Sequence, residues 1–337
     1  MCVDVAKRRY SIHSRTVLSD IENMDIIMDF DQLRHFVRIA ELGSFSRAEA
    51  ALDISQPSLS RQMRLLEESL QTKLFARTGR GVNLTPAGAV FFPHALAILE
   101  GISRAKSALA GPSNSLTGRI VVGLPPRIAR MLTGPLVDAF RHRFPQASIV
   151  IAEGLSPILI EDLKLGRIEV ALLFNATIDN QLSLEGICEE ELVLIGPAQP
   201  KSPKIPARIR FNTLSEFPLI LPPMPNSVRA AIETARQRTT TNLNVVVEVN
   251  TMHAILELVE RQIGFSIVPK GMLAETRFAK SFTVTDIRSP KLLNTVSLAT
   301  AARLPMTKLG LETHALLRKL DIPKLLGART LDRGYHR

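Results

Sequence analysis

The chain changes grammar once along its length. Up to about Ala110 its apolar patterns are helical, whereas from Arg119 short strand-like runs alternate with amphipathic helices. The runs "RIVVGL", "ASIVIAEG" and "EVALLF" are separated by a helix to Arg143 and a helix through Leu165. That alternation predicts a mostly parallel sheet covered by helices. A second set follows: "ELVLIGP", "FPLILPP", a helix near Ser227 to Arg238, "NVVVEVN", a helix through Glu260, and "GFSIVP". The closing "TVSLATAAR" and a helix near Leu309 to Leu320 return to the first sheet. Two α/β lobes joined by crossing strands bind a small molecule in the cleft beyond the strand carboxyl ends.

At 337 residues, with 45% apolar and 22% charged residues, the chain can bury two or three cores. Its longest apolar runs fall short of the roughly 18 residues of a membrane helix, and "MCVDVAKRRYSIHSR" lacks a signal-peptide apolar core. The expected location is the cytosol, with no membrane partner. Cys2 and Cys188 are far apart and form no metal-binding spacing.

The first part reads as three helices and a hairpin. "FDQLRHFVRIAELGSF" places Phe30, Leu33, Phe36, Val37, Ile39 and Ala40 at helical spacing and stops at Gly43. A short helix from Ser46 to Leu52 follows, with Ser46 suited to cap it. The third helix starts near Gln56, with Pro57 in its first turn and Leu59, Met63, Leu66 and Leu70 on one stripe. Ser58, Ser60, Arg61 and Arg64 face out. "KLFARTGRGVNLTPAG" then supplies two strands around a basic turn, which completes a winged helix-turn-helix. Pro86 opens a long helix to about Ala110. Its Val90, Leu96, Leu99, Ile102 and Leu109 suit pairing with a second copy, and Pro93 lies where it can kink the helix. "AGPSNSLTG" is a linker.

The net charge of +10 is spread unevenly: residues 1–118 hold 14 Lys/Arg and 12 Asp/Glu. The local run from Ile54 to Thr85 points more clearly to nucleic acid, since Arg61, Arg64, Lys73, Arg77 and Arg80 face only Glu67 and Glu68.

The motifs "LRHFVRIAELGSFSRAEAALDISQPSLSRQMRLLEESLQTKLFART", "LTPAG", "GRIEVAL" and "GFSIVP" resemble the LysR-type transcriptional regulators over residues 29 to about 320. "LPPMPNSVRAAIE" and "GLPPRIARML" are similar to the nitrogen-assimilation-control branch. The resemblance implies an α/β chain: an N-terminal, all-α-rich winged helix-turn-helix at 29–86, a linker helix and hinge at 87–118, and a two-lobed, periplasmic-binding-protein-like effector domain at 119–322. A basic tail at 323–337 follows. It also implies binding to double-stranded promoter DNA, contact with RNA polymerase, a homodimer through the linker helix and a homotetramer. A small-molecule effector of unknown identity would control it, with no cofactor and no metal. Such chains begin almost at their first helix, so translation is expected to start at Met28, or at Met24. The alternative for residues 1–28 is a basic arm carrying Lys7, Arg8 and Arg9.

The resemblance matches Gln56, Pro57, Ser58 and Arg61 to the major-groove helix. Glutamine can pair with adenine and arginine with guanine through two hydrogen bonds each, and Ser55, Ser58 and Ser60 suit phosphates. Ser55 equally suits a helix cap, and Arg64 suits an ion pair with Glu67 or Glu68. Arg77 and Arg80 would hold the DNA backbone, and Thr85 either joins them or caps the linker helix. In the effector domain the candidates are Arg127, Ser156, Asn226, Ser227, Arg229, Asn250 and Thr251. Helix starts at Ser156, Ser227 and Thr251 favour an anion, although each residue also suits a simple cap. Arg127 stands where many family members carry Ser or Thr, so it either draws a more acidic effector or plugs the pocket.

Signals for catalysis are poor. "GRGVNL" lacks the third glycine of a dinucleotide loop, and no G-x-S-x-G or phosphate-loop motif occurs. The seven histidines lack metal spacing; His35 reads as a helix-face residue and Phe91-Phe92 as core or dimer contact. Two rivals to a regulator are a solute-binding protein for transport and a metabolic enzyme on the same α/β scaffold.

Overall fold

The computed structural model describes residues 28–78, 81–109, 116–198, 205–274 and 282–331. The expected extension at 1–28, apart from Met28, lies outside them. The chain divides into two compact units, one ending at Ser103 and one beginning at Arg104.

In the first unit α1 (Phe30–Leu42), α2 (Phe45–Leu52) and α3 (Gln56–Ser69) precede the hairpin β1 (Phe75–Thr78) and β2 (Gly81–Leu84). A capping box between Asp29 and Gln32 starts α1, and Gly43 in the left-handed conformation ends it. The second helix begins one residue before its expected start, because Ser44, not Ser46, accepts from the Arg47 N–H. Leu59, Met63 and Leu66 of α3 are buried with Phe36, Ile39 and Ala48, and Leu70 packs at the margin. One tie of the wing to this core is a backbone bond: Val82 N–H donates to the Gly43 carbonyl at 3.1 Å, and a Cβ on Gly81 would lie 2.5 Å from the same oxygen. Only glycine fits there.

The long helix α4 (Pro86–Leu109) shares this core through Ala95, Phe91, Phe92, Leu96 and Leu99. Phe36 meets Phe91 and Phe92 at ring-centroid distances of 5.2 and 6.3 Å, which settles that pair as core. Leu96 and Leu99, expected to pair with a second copy, therefore turn partly inward. Val90 and Ile98 stay exposed.

The second unit holds two lobes. In the first lobe β3 (Gly118–Leu124) lies between parallel β4 (Ala147–Glu153) and β5 (Val170–Phe174), covered by α5 (Pro126–Arg143) and α6 (Ser156–Lys164). A sixteen-residue strand, β6 (Leu182–Pro197), then runs into the second lobe. That lobe contains β7 (Arg208–Arg210), β8 (Leu219–Leu221), α7 (Ser227–Thr239), β9 (Val245–Glu248), α8 (Met252–Glu260), β10 (Ser266–Pro269) and β11 (Phe282–Arg288). The return strand β12 (Leu293–Ala301) inserts antiparallel between β5 and β6, and α9 (Lys308–Lys319) packs on the first lobe. The sheet is therefore mixed where a mostly parallel one was expected, because both strands that join the lobes run against their neighbours.

The expected basic tail is corrected over its described part. α10 (Ile322–Leu326) places Ile322 and Leu326 in the first lobe's core, each 1% exposed, and β13 (Arg329–Thr330) pairs with β6 at Glu189 and Cys188. A Cβ on Gly271 would meet the Leu326 carbonyl at 1.8 Å, so this segment also sits directly against a short 3-10 turn of the second lobe, Lys270–Ala274. The charged residues face outward and the apolar pair at i, i+4 faces in. Leu326→Ala should cost about 2–5 kcal/mol in urea denaturation of the full chain, while exposed Arg329→Ala should stay within about 0.5 kcal/mol. A tail would show neither difference.

Candidate functional site

The start of α3 exposes Ser55, Gln56 and Pro57, and Arg61 and Arg64 follow on the same exposed face, with Ser58 and Ser60 half-buried. Ser55 makes no side-chain cap. Instead, the Glu49 carboxylate accepts from the Gln56 N–H at 3.1 Å, and Ser46 donates to Gln56 Oε1 at 3.1 Å. Helix α2 thus supplies the cap, so the Ser55 hydroxyl is free and the Gln56 side chain is held at the helix start. Arg61 has no partner among the described residues. Arg64 pairs with Glu68 at 3.9 Å across a well-exposed face, a contact of little strength. The Arg77 side chain and Arg80 lie outside the described residues. Thr85 is engaged elsewhere: its hydroxyl donates to the Lys73 carbonyl at 2.6 Å and accepts from the Gly88 N–H at 3.0 Å. Its DNA role gives way to capping α4.

Glu67 is a residue that pattern reading missed. One carboxylate oxygen accepts from the N–H groups of Leu74 and Phe75 at 2.9 and 3.1 Å, and the other from Lys73 Nζ at 2.7 Å. Burial disfavours its charge, but Lys73 and the two backbone donors outweigh burial and hold the carboxyl below the usual glutamate range. It therefore joins α3 to the first wing strand. Behind the helix, buried His35 meets Gln62 through Nδ1 at 2.6 Å, which makes it a packing residue of α1.

Between the lobes lies a cavity of about 820 Å³, lined by the starts of α5, α6, α7 and α8. Arg127, Ser156, Asn226, Ser227, Asn250 and Thr251 all line it. Arg229 does not: it is spent on Glu233 and Glu248 at 2.8 and 2.6 Å. Asn226 caps α7 through the Val228 N–H, and the Ser156 hydroxyl accepts from the Phe174 N–H at 2.9 Å. Thr251 makes no cap, and neither Asn250 nor Thr251 has a side-chain partner among the described residues.

Arg127 is held in place by Glu190, which is 1% exposed, at 2.8 Å, and by the Leu326 carbonyl at 3.2 Å. Burial pushes the Glu190 carboxyl up, and the guanidinium opposes that shift. Arg127 consequently closes part of the floor. Sequence reading also missed Asn175 and Asn294, whose carboxamides bond at 2.8 Å; Asn175 further donates to the Ser227 carbonyl and accepts from the Thr295 N–H. Cys188, on the strand beneath, is buried, and burial followed by the nearby glutamates pushes its thiol up to about 12. Among the described residues no cluster of His, Cys, Asp and Glu is placed to hold a metal ion, and no helix is long and apolar enough to cross a membrane.

A helix-turn-helix with an exposed polar edge, joined to a two-lobed domain around a cavity, defines a ligand-responsive DNA-binding protein. Residues 30–89 match the bacterial regulatory helix-turn-helix protein, lysR family, and residues 113–319 match the LysR substrate binding domain. The chain belongs to the LysR family of DNA-binding transcriptional regulators, with an effector-binding domain at its C-terminal side. The nitrogen assimilation regulatory protein nac of Escherichia coli strain K12 is 27% identical over 277 residues, covering 82% of this chain and 90% of that protein. The HTH-type transcriptional regulator BbuR of Bordetella bronchiseptica is 29% identical over 274 residues, covering 81% and 84%. Among solved structures, a full-length OxyR variant from Pseudomonas aeruginosa superposes with a TM-score of 0.67 at 23% identity, covering 90% of this chain and 98% of that one. Full-length CbnR complexed with its target DNA gives 0.63 at 23% identity, covering 86% and 98%.

Two variants test these contacts. Because Glu67 is held ionised, its stabilisation is complete above the ordinary glutamate range and is lost as pH falls through the depressed folded value. Glu67→Gln should therefore destabilise at pH 7, with the gap to wild type closing in acid, as read by denaturation at pH 7, 5 and 3. Arg127→Ser should strand the Glu190 carboxylate and cost about 3–5 kcal/mol, most of which adding Glu190→Gln returns.

Proposed function

We propose that this regulator reads a promoter through the N-terminal edge of α3, with Gln56 and Arg61 on base edges in the major groove and Ser55, Ser58 and Ser60 on phosphates. The observation that carries this reading is the division of one helix into an exposed polar edge and a buried stripe of Leu59, Met63 and Leu66. Arg64 adds to the same edge, since its pair with Glu68 is weak and exposed. Two heads paired through α4 would sit one helical turn, or a multiple, apart on DNA, and pairs of dimers would form a tetramer. Exposed Val90 and Ile98 support pairing through α4.

An anion entering the cavity would meet the uncapped starts of α6 and α8 from opposite lobes. Lobe closure around it would change how the tetramer's heads lie on DNA and hence the DNA bend, altering contact with RNA polymerase. This reading gives the chain a dissociable effector in place of a resident cofactor, and no reaction.

Gel shifts with the chain's own upstream DNA test it. Arg61→Ala should reduce the preference for that DNA over scrambled sequence by roughly 10- to 100-fold, and Gln56→Ala should relax one position of the site. Arg80→Ala should weaken all sequences alike and flatten the salt dependence. Equal binding of the parent to scrambled DNA would refute specific readout, and turnover of a metabolite without DNA binding would favour the enzyme.

A further inference from the structure

We propose that the effector is a monoanionic amphiphile, a monocarboxylic acid with an aromatic or medium-chain apolar body, in preference to a dicarboxylate or an inorganic oxyanion. This rests on the anion-binding reading of the cavity and narrows it.

Size comes first. A cavity of about 820 Å³ falls within the range that encloses a drug-sized ligand, and a small oxyanion would leave most of it to water. Its walls suit an apolar occupant. Met224, Met252 and Met272, three of the nine methionines in the chain, line it together with Phe174 and Ile255. Methionine is flexible and polarisable, so such a wall remoulds around apolar bodies. Met224, on this lining, is 58% exposed.

The polar lining is mostly occupied by the protein itself. Asn175, Asn294 and Ser227 bond to one another, and Arg127 is taken by Glu190 and the Leu326 carbonyl. Open donors on the lining include Thr177, the amide N–H groups of Asn226 and, at the starts of two nine-residue helices, the proton of the Ser156 hydroxyl on α6 and Asn250 and Thr251 at α8. These donors and the helix dipoles can hold one carboxylate.

A second carboxylate would fare badly. The cavity is lined by Glu153 and Glu161 as well as by Arg127 and Arg130, so its formal charges balance before Glu190 behind Arg127 is counted. Arg130 already has an interaction of its own. A dianion would therefore bring a second charge into a lining whose formal charges already cancel, at the cost of desolvation.

The test uses the full-length chain and four probes at equal concentration: octanoate, benzoate, succinate and inorganic phosphate. Thermal shift and calorimetric titration should show octanoate or benzoate binding at least tenfold tighter than succinate or phosphate. Thr251→Val should lower that affinity about tenfold or more, the loss of one hydrogen bond to a charged group. Met224→Gln, at an exposed site that tolerates a polar residue, should weaken octanoate and leave phosphate unchanged. Tighter binding of succinate or phosphate would overturn the amphiphile and leave an anion-responsive cavity standing. Octanoate binding unmoved by either substitution would mark adsorption elsewhere and overturn the proposal. If none of the four binds, the anion reading of the cavity falls with it.

Discussion

The effector domain depends on β6, a single strand that belongs to both lobes. Its first half pairs with β12 in the first lobe, and Leu192–Pro197 pair with β10 and β11 in the second. Buried backbone N–H and carbonyl groups tolerate no loss of partners, so the strand cannot slip without breaking both ladders. The lobes are thereby held at one crossover while their outer ends remain separate, which is the condition for a cavity between them. Glu190 sits on this strand where β12 brings Asn294 alongside, so the groups that close the cavity floor are carried by the element that joins the lobes. The segment from Ile322 to Thr330 leans on the same place, through Glu189 and Cys188 of β6 and Gly271 of the second lobe. Arg127 ties that segment to the cavity through the Leu326 carbonyl.

What the sequence revealed and what it hid follow from the range of the interactions involved. Helix α3 was legible because its stripe, its proline and its polar edge all lie within one helical repeat. The second half of β6, "ELVLIGP", was legible as an apolar run. Its first half, "LSLEGICEE", was not, since buried Glu190 counts as polar in any periodicity and only its partner 63 residues away explains it. α10 was hidden by Lys324 and the basic residues after it, although Ile322 and Leu326 at i, i+4 carried the signal. Of the cavity candidates, those at helix starts were placed on the lining because a helix start is set by local sequence, although Ser156 and Thr251 form no cap. Arg229 was misplaced because its partner Glu248 comes from a neighbouring strand. Asn175 escaped notice for the same reason: its bonds reach Ser227, Asn294 and Thr295.

Charge in this chain is organised by burial more than by count. Along α3 and the wing the composition shows five basic residues against two glutamates, yet Glu67 points inward to Leu74, Phe75 and Lys73. Only Glu68 is left facing out, and its 3.9 Å contact with Arg64 is exposed to solvent on both sides. Each of the two glutamates thus has a cation of its own, Arg61 is left without a carboxylate partner among the described residues, and the Gln56 N–H is capped by a carboxylate from α2.

The cavity shows the opposite arrangement. It is rich in formally charged and polar residues, but Arg127 is neutralised by a glutamate buried behind it, and Asn175, Asn294 and Ser227 satisfy each other. Two surfaces of one basic protein therefore differ in kind. On the head, Arg61 of α3 is exposed with no carboxylate partner among the described residues, whereas the cavity presents methionines and two uncapped helix starts.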